Sequence, residues 1–214
     1  MAEHNYAEDV AKYTKPVNAH AIVGILKHIG IAATSRDGST VSCSEKSERD
    51  TVRDSFLKKN LGRTEADADL DKAVVEICQR LQTDTTKLRV TFYYLLAEKY
   101  GQIGTLANEA YAGDIRKYTK KKVDVKHVAG IVRYLGVALA DTDSALVACG
   151  DKSERDRVRD SFLKTKLALT QADGELDKAV EQTCQKMSAD ASKSRVTFYY
   201  LLAEKYDKLA LFAS

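Results

Sequence analysis

The sequence predicts an all-α fold made of two homologous helical units of about five helices each. Only one of the 214 residues is proline, none is tryptophan and 30% are charged, a composition that favours helices over a turn-rich β architecture. The segment RVTFYYLLAEKY occurs as residues 89–100 and again as residues 195–206. Apolar residues also recur at helical spacing, as in Ile22, Ile25 and Ile29. Together these observations indicate a tandem helical repeat.

The duplicated segment predicts the central helix of each unit. Phe92 to Glu98 contains a single charge, so a helix there is apolar on nearly all sides and must be covered by neighbours. Val90 to Tyr94 are residue types that also occur often in strands. We favour a helix because Leu95 to Lys99 are strong helix formers and Gly101 follows at the position of a left-handed cap. The predicted core centres are Phe92, Leu95 and Leu96, with Phe198, Leu201 and Leu202.

The repeat defines the domain organisation. Residues 24–100 align without a gap to residues 130–206, and one extra residue stands upstream in the second copy. We therefore predict a first unit of residues 1–104 and a second of residues 105–214. We expect the two to associate about a pseudo-twofold axis as a pseudo-dimer within one chain, because joining two subunits raises their effective concentration.

The other helices are predicted from apolar spacing and capping residues. Pro16 ends the first helix, and Gly30 terminates the second. Ser44 or Ser47 can cap the third. We expect a turn at residues 36–39, and we expect the apolar tail 209–212 to pack on the second unit. The predicted helices of the first repeat cover residues 6–14, 19–29, 44–59, 64–81 and 89–100.

The charge balance and the amino-terminal residues restrict the class of protein. The chain has 34 basic and 31 acidic residues, a formal net charge of +3, which lacks the strong field of a nucleic-acid or membrane binder. Residues 1–9 are polar and acidic, unlike a secretion signal, and no apolar run reaches membrane-spanning length. We expect a soluble, cytoplasmic protein whose partner, if any, is another protein.

The four cysteines form one equivalent pair per repeat, Cys43 with Cys78 and Cys149 with Cys184. Without a secretion signal, we expect them to be reduced, unbridged packing residues. Cys43 and Cys149 are also reactive-thiol candidates, since a thiol just before a helix amino terminus can have a lowered pKa. A nucleophile needs a base, and His28 is replaced by Tyr134 in the second repeat. We therefore assign no catalytic residue.

Two further charged segments could bind ions. Asp67, Asp69 and Asp71 gather carboxylates at a helix start, but their spacing does not fit a calcium loop, and such acids stabilise a helix without metal. The basic run 116–122 could contact phosphate, but the counterpart 11–16 is far less charged, which favours a solvated helix end. We predict no metal and no cofactor.

A cluster of charged residues before the middle of each repeat supplies the interaction candidates. On one helix these side chains point in nearly every direction, so they cannot all share one solvated face. They either form internal ion pairs or build a docking surface that is presented twice. For Arg53 and Arg159 we expect internal pairing. The candidates are Arg49, Asp50, Arg53 and Asp54, with Arg155, Asp156, Arg159 and Asp160.

Two motifs, CSEKSERDTVRDSFLKK at residues 43–59 and KLRVTFYYLLAEK at residues 87–99, resemble an uncharacterised family of small bacterial helical proteins of about a hundred residues. The resemblance implies a bacterial origin and two fused family units, and it implies no activity. We expect a non-catalytic protein-interaction or structural module. The alternatives are a small-ligand or divalent-cation binder, or a thiol-based enzyme that uses Cys43 and Cys149.

Overall fold

The computed structural model describes residues 5–30, 38–140 and 143–213. It divides the chain into two compact units, unit 1 (Met1–Ala110) and unit 2 (Tyr111–Ser214). Within the described residues the regular structure is helical, and only two isolated β-bridges occur, Thr40 with Leu88 and Leu146 with Ser194. The predicted all-α fold is confirmed. No helix among these residues has both the length and the apolar character needed to cross a membrane.

Among its described residues, unit 1 contains five complete α-helices, and they follow the predicted order. Asn5 and Asn18 cap the first two, each accepting a hydrogen bond from a backbone amide of the first turn. The third is preceded by Glu45, which makes no capping bond, so neither Ser44 nor Ser47 caps it. The helices are α1 (Tyr6–Ala11), α2 (Ala19–Ile29), α3 (Lys46–Thr51) with a π-helical continuation Val52–Asn60, α4 (Asp67–Arg80) and α5 (Arg89–Lys99). Of the turn predicted at 36–39, residues 36 and 37 lie outside the described residues.

Unit 2 repeats this order. Helix α6 (Ile103–Ile115) starts in unit 1 and supplies the first helical residues of unit 2. Next come α7 (Val125–Leu135), a 3-10 turn Gly136–Ala140, α8 (Lys152–Arg157) with a π-helical continuation Val158–Lys166, α9 (Asp173–Lys186), α10 (Arg195–Lys205) and a 3-10 turn Leu209–Phe212.

Helix α5 lies at the centre of unit 1, as predicted. Residues 89–97 are all buried, and Phe92, Leu95 and Leu96 are fully buried. A buried tyrosine hydroxyl needs a partner, because an unsatisfied buried polar group costs about 1–3 kcal/mol. The backbone amide of Asn18 supplies one by donating to the hydroxyl of Tyr94 at 2.9 Å. Helix α10 occupies the same place in unit 2.

Each unit is closed by a segment that follows its central helix. In unit 1 a Cβ added at Gly24 would collide with the carbonyl group of Leu106, and in unit 2 a Cβ at Gly130 would collide with that of Phe212. Phe212 is buried against the core of unit 2, so the predicted packing of the tail on that unit is confirmed. Glycine is required at both positions because only hydrogen leaves room for the neighbouring backbone.

The prediction of reduced cysteines was wrong. The structure contains two disulfides, Cys43–Cys78 and Cys149–Cys184, and no free cysteine. In each unit the charged helix is the one that carries the interaction candidates, α3 in unit 1 and α8 in unit 2. The segment before it packs beside the following helix, α4 or α9, which brings the two Cα atoms to 5.8 Å, within disulfide range. The polar and acidic character of residues 1–9, on which the prediction depended, carries no information about the distance between two side chains.

Candidate functional site

The candidate site lies where the end of the charged helix meets the start of the next helix. In unit 1, α3 passes into the π-helical segment Val52–Asn60, which packs against α4. In unit 2 the same arrangement joins the segment Val158–Lys166 to α9. The π-helical segments occupy equivalent positions in the two units. Such segments are rare and are frequent at functional sites.

Arg53 is the centre of this site in unit 1. Its Nε and Nη2 donate to the two carboxylate oxygens of Asp54 at 2.9 and 3.0 Å. Its Nη1 donates to Asp50 at 3.0 Å and to Asp71, on α4, at 2.9 Å. Lys58 lies beside it and pairs with Asp54 at 3.1 Å. The guanidinium therefore joins the two helices through several carboxylates at once.

Arg159 repeats this geometry in unit 2. It donates to the two oxygens of Asp160 at 2.9 and 3.0 Å, to Asp156 at 3.2 Å and to Asp177 at 3.0 Å. In each unit a further aspartate lies 3.7 Å from the Nε of the central arginine, Asp67 in unit 1 and Asp173 in unit 2. We call each arrangement an ionic cluster.

The arginines are the inner part of the ionic clusters and the carboxylates are the outer part. The side chain of Arg53 is 11% exposed, whereas those of Asp54 and Asp67 are 53% and 58% exposed. Hydrogen bonds from Arg53 and then from Lys58 lower the pKa of Asp54 to about 2. Hydrogen bonds to Asp54 and Asp71 raise the pKa of Arg53. Arg53 and Asp54 are therefore both charged at neutral pH.

The predicted interaction candidates of unit 1 do not form one site. Arg53, Asp54 and Asp50 come together in the ionic cluster, as described above. Arg49 lies elsewhere, because its Nη1 donates to the carbonyl oxygen of Cys43 at 2.5 Å. Only three of the four candidates therefore belong to the cluster.

The candidates of unit 2 divide in the same way. Asp156 belongs to the ionic cluster, and it also pairs with Lys152 at 2.6 Å. Arg155 donates to the carbonyl oxygen of Cys149 at 2.6 Å, away from the cluster. In both units, therefore, the first arginine of the candidate set lies outside the ionic cluster.

The reactive-thiol candidates Cys43 and Cys149 lie in the two disulfides. In unit 1 the bridge lines a cavity of about 370 Å³ together with Arg49 and Val75. A bridged cysteine has no thiol, so a nucleophilic role would belong to the reduced protein alone. That role stays a prediction.

The acidic residues at the start of α4 form ion pairs with arginine and lysine side chains. Asp67 and Asp71 contact Arg53, and Asp69 pairs with Lys72 at 2.8 Å. In residues 5–30, 38–140 and 143–213, no group of three or more histidine, cysteine, aspartate or glutamate side chains is arranged to hold a metal ion. Asp67 and Asp71 therefore serve the ionic cluster.

Sequence reasoning missed a buried arginine, Arg89, at the start of α5. Its Nε donates to the carbonyl oxygen of Gly38 at 2.6 Å, and its Nη2 donates to that of Thr40 at 2.6 Å and to Glu48 at 2.5 Å. In unit 2, Arg195 donates to the carbonyl oxygens of Ser144 and Leu146 and forms an ion pair with Glu154 at 2.6 Å. The signal was present, because this arginine opens the segment that is repeated letter for letter.

The fold and the paired ionic clusters define a tandem repeat of one all-helical unit. The model of a family described as a protein of unknown function, DUF2853, matches residues 5–103 and again residues 110–210. The chain belongs to this family and carries two copies of its unit, which confirms the predicted resemblance. No curated protein matches the chain. The bacterial origin stays a prediction.

Proposed function

We propose that the protein is a non-catalytic interaction module that binds a protein partner through the exposed carboxylates of its two ionic clusters. We call these carboxylates the rim of each cluster; they are Asp54, Asp67 and Asp71 in unit 1, and Asp160, Asp173 and Asp177 in unit 2. The observation that carries this proposal is the division of each cluster into an arginine that is mostly shielded from solvent and acids that are exposed. Asp54, Asp67 and Asp71 are 53%, 58% and 42% exposed. Their lone pairs can accept hydrogen bonds from lysine, arginine or backbone amides of a partner.

Fixed positions of these carboxylates support the proposal. Arg53 holds both oxygens of Asp54, and Lys58 bridges Asp54 and Asp67 at 3.1 and 2.7 Å. A group that is already ordered before binding loses less conformational entropy when a partner arrives. The rim therefore suits recognition better than the same acids on freely rotating side chains.

Repetition of the cluster supports a bivalent mode of binding. Unit 2 offers Asp160, Asp173 and Asp177 in the places of the three acids of unit 1, with exposures of 51%, 58% and 39%. A partner with two basic segments could engage both rims, and the second contact would then form at a raised effective concentration.

The experiment compares capture of partners by the wild-type chain and by a rim variant, Asp67→Asn with Asp173→Asn. Both side chains are more than half exposed, so we expect the melting temperature to stay nearly unchanged while capture of a basic partner is lost. The control is Asp69→Asn, which removes an acid of α4 that is 61% exposed and pairs with Lys72 outside the ionic cluster. Equal capture by the wild type and the rim variant would overturn the proposal.

The location of the protein is a separate question. The sequence predicts the cytoplasm, and this stays a prediction. The two disulfides favour a non-reducing compartment, since thiols are kept reduced in most cytoplasms.

A further inference from the structure

Unit 2 contains a cavity of about 300 Å³ that lies between the residues after α6 and the helices α9 and α10. The ionic clusters do not contribute to it. Its lining is formed by Lys121, Lys186, Lys205, Gln182, Thr183, Glu204 and Leu201.

The lining has a surplus of positive charge. Three lysines face one carboxylate, which leaves two uncompensated positive charges. Glu204 already accepts a hydrogen bond from the hydroxyl of Thr119 at 2.9 Å. Lys205 donates to the amide oxygen of Gln182 at 2.6 Å, a neutral partner. Within the part of the chain that the structure describes, Lys121 and Lys186 form no ion pair.

The equivalent place in unit 1 is neutralised by its own side chains. Lys99, which corresponds to Lys205, pairs with Glu76 at 2.7 Å. Arg80, which corresponds to Lys186, contacts Glu98 at 3.3 Å and donates to the carbonyl oxygen of Tyr13 at 2.6 Å. The fold of the repeat therefore does not require a positive surplus at this place.

Two sequence differences produce the surplus in unit 2. Gln182 stands where unit 1 has Glu76, whereas Lys186, which stands where unit 1 has Arg80, keeps the positive charge. Lys121 lies where the second repeat carries its extra residue, and its backbone amide donates to the hydroxyl oxygen of Thr119 at 3.1 Å. One change removes an acid and another adds a lysine, and both act on the same cavity.

We propose that this cavity binds a small molecule that carries phosphate groups. Ammonium groups are compact point charges that bind phosphate well, and the amide nitrogen of Gln182 adds a further donor. The volume lies at the lower end of the range for small-molecule sites and suits a diphosphate better than a polymer. Leu201 is buried and forms an apolar part of the lining. The site is distinct from the proposed protein-binding rims, so each proposal can fail without the other.

The test is a calorimetric titration of the full chain with pyrophosphate at about 0.1 M salt, where attraction beyond about 10 Å is screened. We expect saturable binding of one pyrophosphate per chain. The Lys121→Gln, Lys186→Gln variant should weaken binding by at least about tenfold, or about 1.4 kcal/mol. Gln182→Glu should weaken it as well, because the new carboxylate would pair with Lys205 as Glu76 pairs with Lys99. The substituted positions are exposed, and the melting temperature verifies folding.

The matched control removes the same number of charges from the neighbouring lysines, Lys120→Gln with Lys122→Gln, which do not line the cavity. Unchanged binding by this control, with loss in the cavity variants, supports the proposal. Equal weakening by the control and the cavity variants would show diffuse attraction and overturn it. Absence of saturation with pyrophosphate, or tighter binding of a single-stranded oligonucleotide that depends on the control lysines, would also overturn it.

Discussion

At the scale of single residues, the central arginines of the ionic clusters stabilise each unit. We predict that Arg53→Ala with Arg159→Ala lowers the free energy of unfolding by about 1.5–3 kcal/mol in each unit, the range for hydrogen bonds to charged groups. The loss should be smaller than for a fully buried pair, because water can solvate the exposed carboxylates. Thermal unfolding measures the effect, and about 1 kcal/mol corresponds to roughly 4–8 °C in a unit of this size.

The control for the arginine variants is Lys46→Ala with Lys152→Ala. These lysines pair with Asp50 and Asp156 but are 76% and 77% exposed, so we expect a change of about 0–1 kcal/mol. A melting temperature of the arginine variant within about two degrees of the wild type would show that these arginines do not stabilise the fold.

His28 makes the stability of unit 1 depend on pH. Its ring lies 5.6 Å from the ring of Phe56, and burial, followed by the charge of Lys59, lowers its pKa. A lowered pKa in the folded state means that stability is complete above the unfolded value of about 6.5 and decreases as the pH falls below it. We predict a lower urea midpoint for unit 1 at about pH 5.5 than at about pH 7.5.

Unit 2 supplies the control for this pH dependence, because Tyr134 occupies the equivalent position. The His28→Tyr variant should lose the decrease in stability over this range. If the variant and the wild type show the same pH dependence, another group is responsible.

At the scale of helices, the disulfides tie each charged helix to the next helix. Each bridge spans 35 residues, and closing a loop of that size stabilises the fold by about 3–4 kcal/mol in the chain-entropy description. We predict that Cys43→Ser with Cys78→Ser destabilises unit 1 by up to this amount, as measured by urea unfolding. Cys149→Ser with Cys184→Ser is the matched variant of unit 2. Free thiols in the unreduced, unfolded chain would contradict the bridges themselves.

The closing segments give a second prediction at this scale. Gly24→Ala and Gly130→Ala place a methyl group against backbone, so we expect losses of about 1–3 kcal/mol in the free energy of unfolding. Gly174→Ala is the control, because nothing lies within 4 Å of its added Cβ and Ala68 occupies the same place in unit 1. That change should stabilise α9 by up to about 1 kcal/mol. Unchanged stability of both Gly24→Ala and Gly130→Ala would contradict the close approach.

The central helices could be predicted from the sequence, but the disulfides and the ionic clusters could not. Phe92 to Glu98 could be placed at a core because a nearly uncharged helix must be covered on most sides. Pairing of Cys43 with Cys78 depends on how two segments pack, which apolar spacing does not encode. Asp71 was assigned to an acidic helix start, and only the packing of α4 brings it to Arg53. The π-helical segments leave no pattern of their own in the sequence.

At the scale of the whole molecule, each unit has its own apolar core. We predict that Leu96→Ala lowers the free energy of unfolding of unit 1 by about 2–5 kcal/mol, because the side chain is fully buried. Amide hydrogen exchange resolves the effect, since amides of α10 should keep their protection while those of α5 lose it. Leu202→Ala should give the opposite pattern. A loss below about half a kilocalorie would remove Leu96 from the core.

The division at residue 104 and the pseudo-twofold association of the units stay predictions. The family matches end at residue 103 and resume at residue 110, and α6 runs through this interval. A fragment that stops at residue 104 would lack Leu106, the residue that covers Gly24. Separate expression of the two units is therefore informative only when the first retains this residue.

The closing segment of unit 1 also has a mechanical consequence. Leu106 belongs to α6, the helix that leads into unit 2, so a force that pulls the units apart along the chain acts directly on the contact between Leu106 and Gly24. The contact between Phe212 and Gly130 follows the last α-helix of unit 2 and lies outside the path of the chain between the units. Tension that reaches unit 1 through α6 therefore acts on the contact at Gly24 before it reaches the rest of the core of that unit.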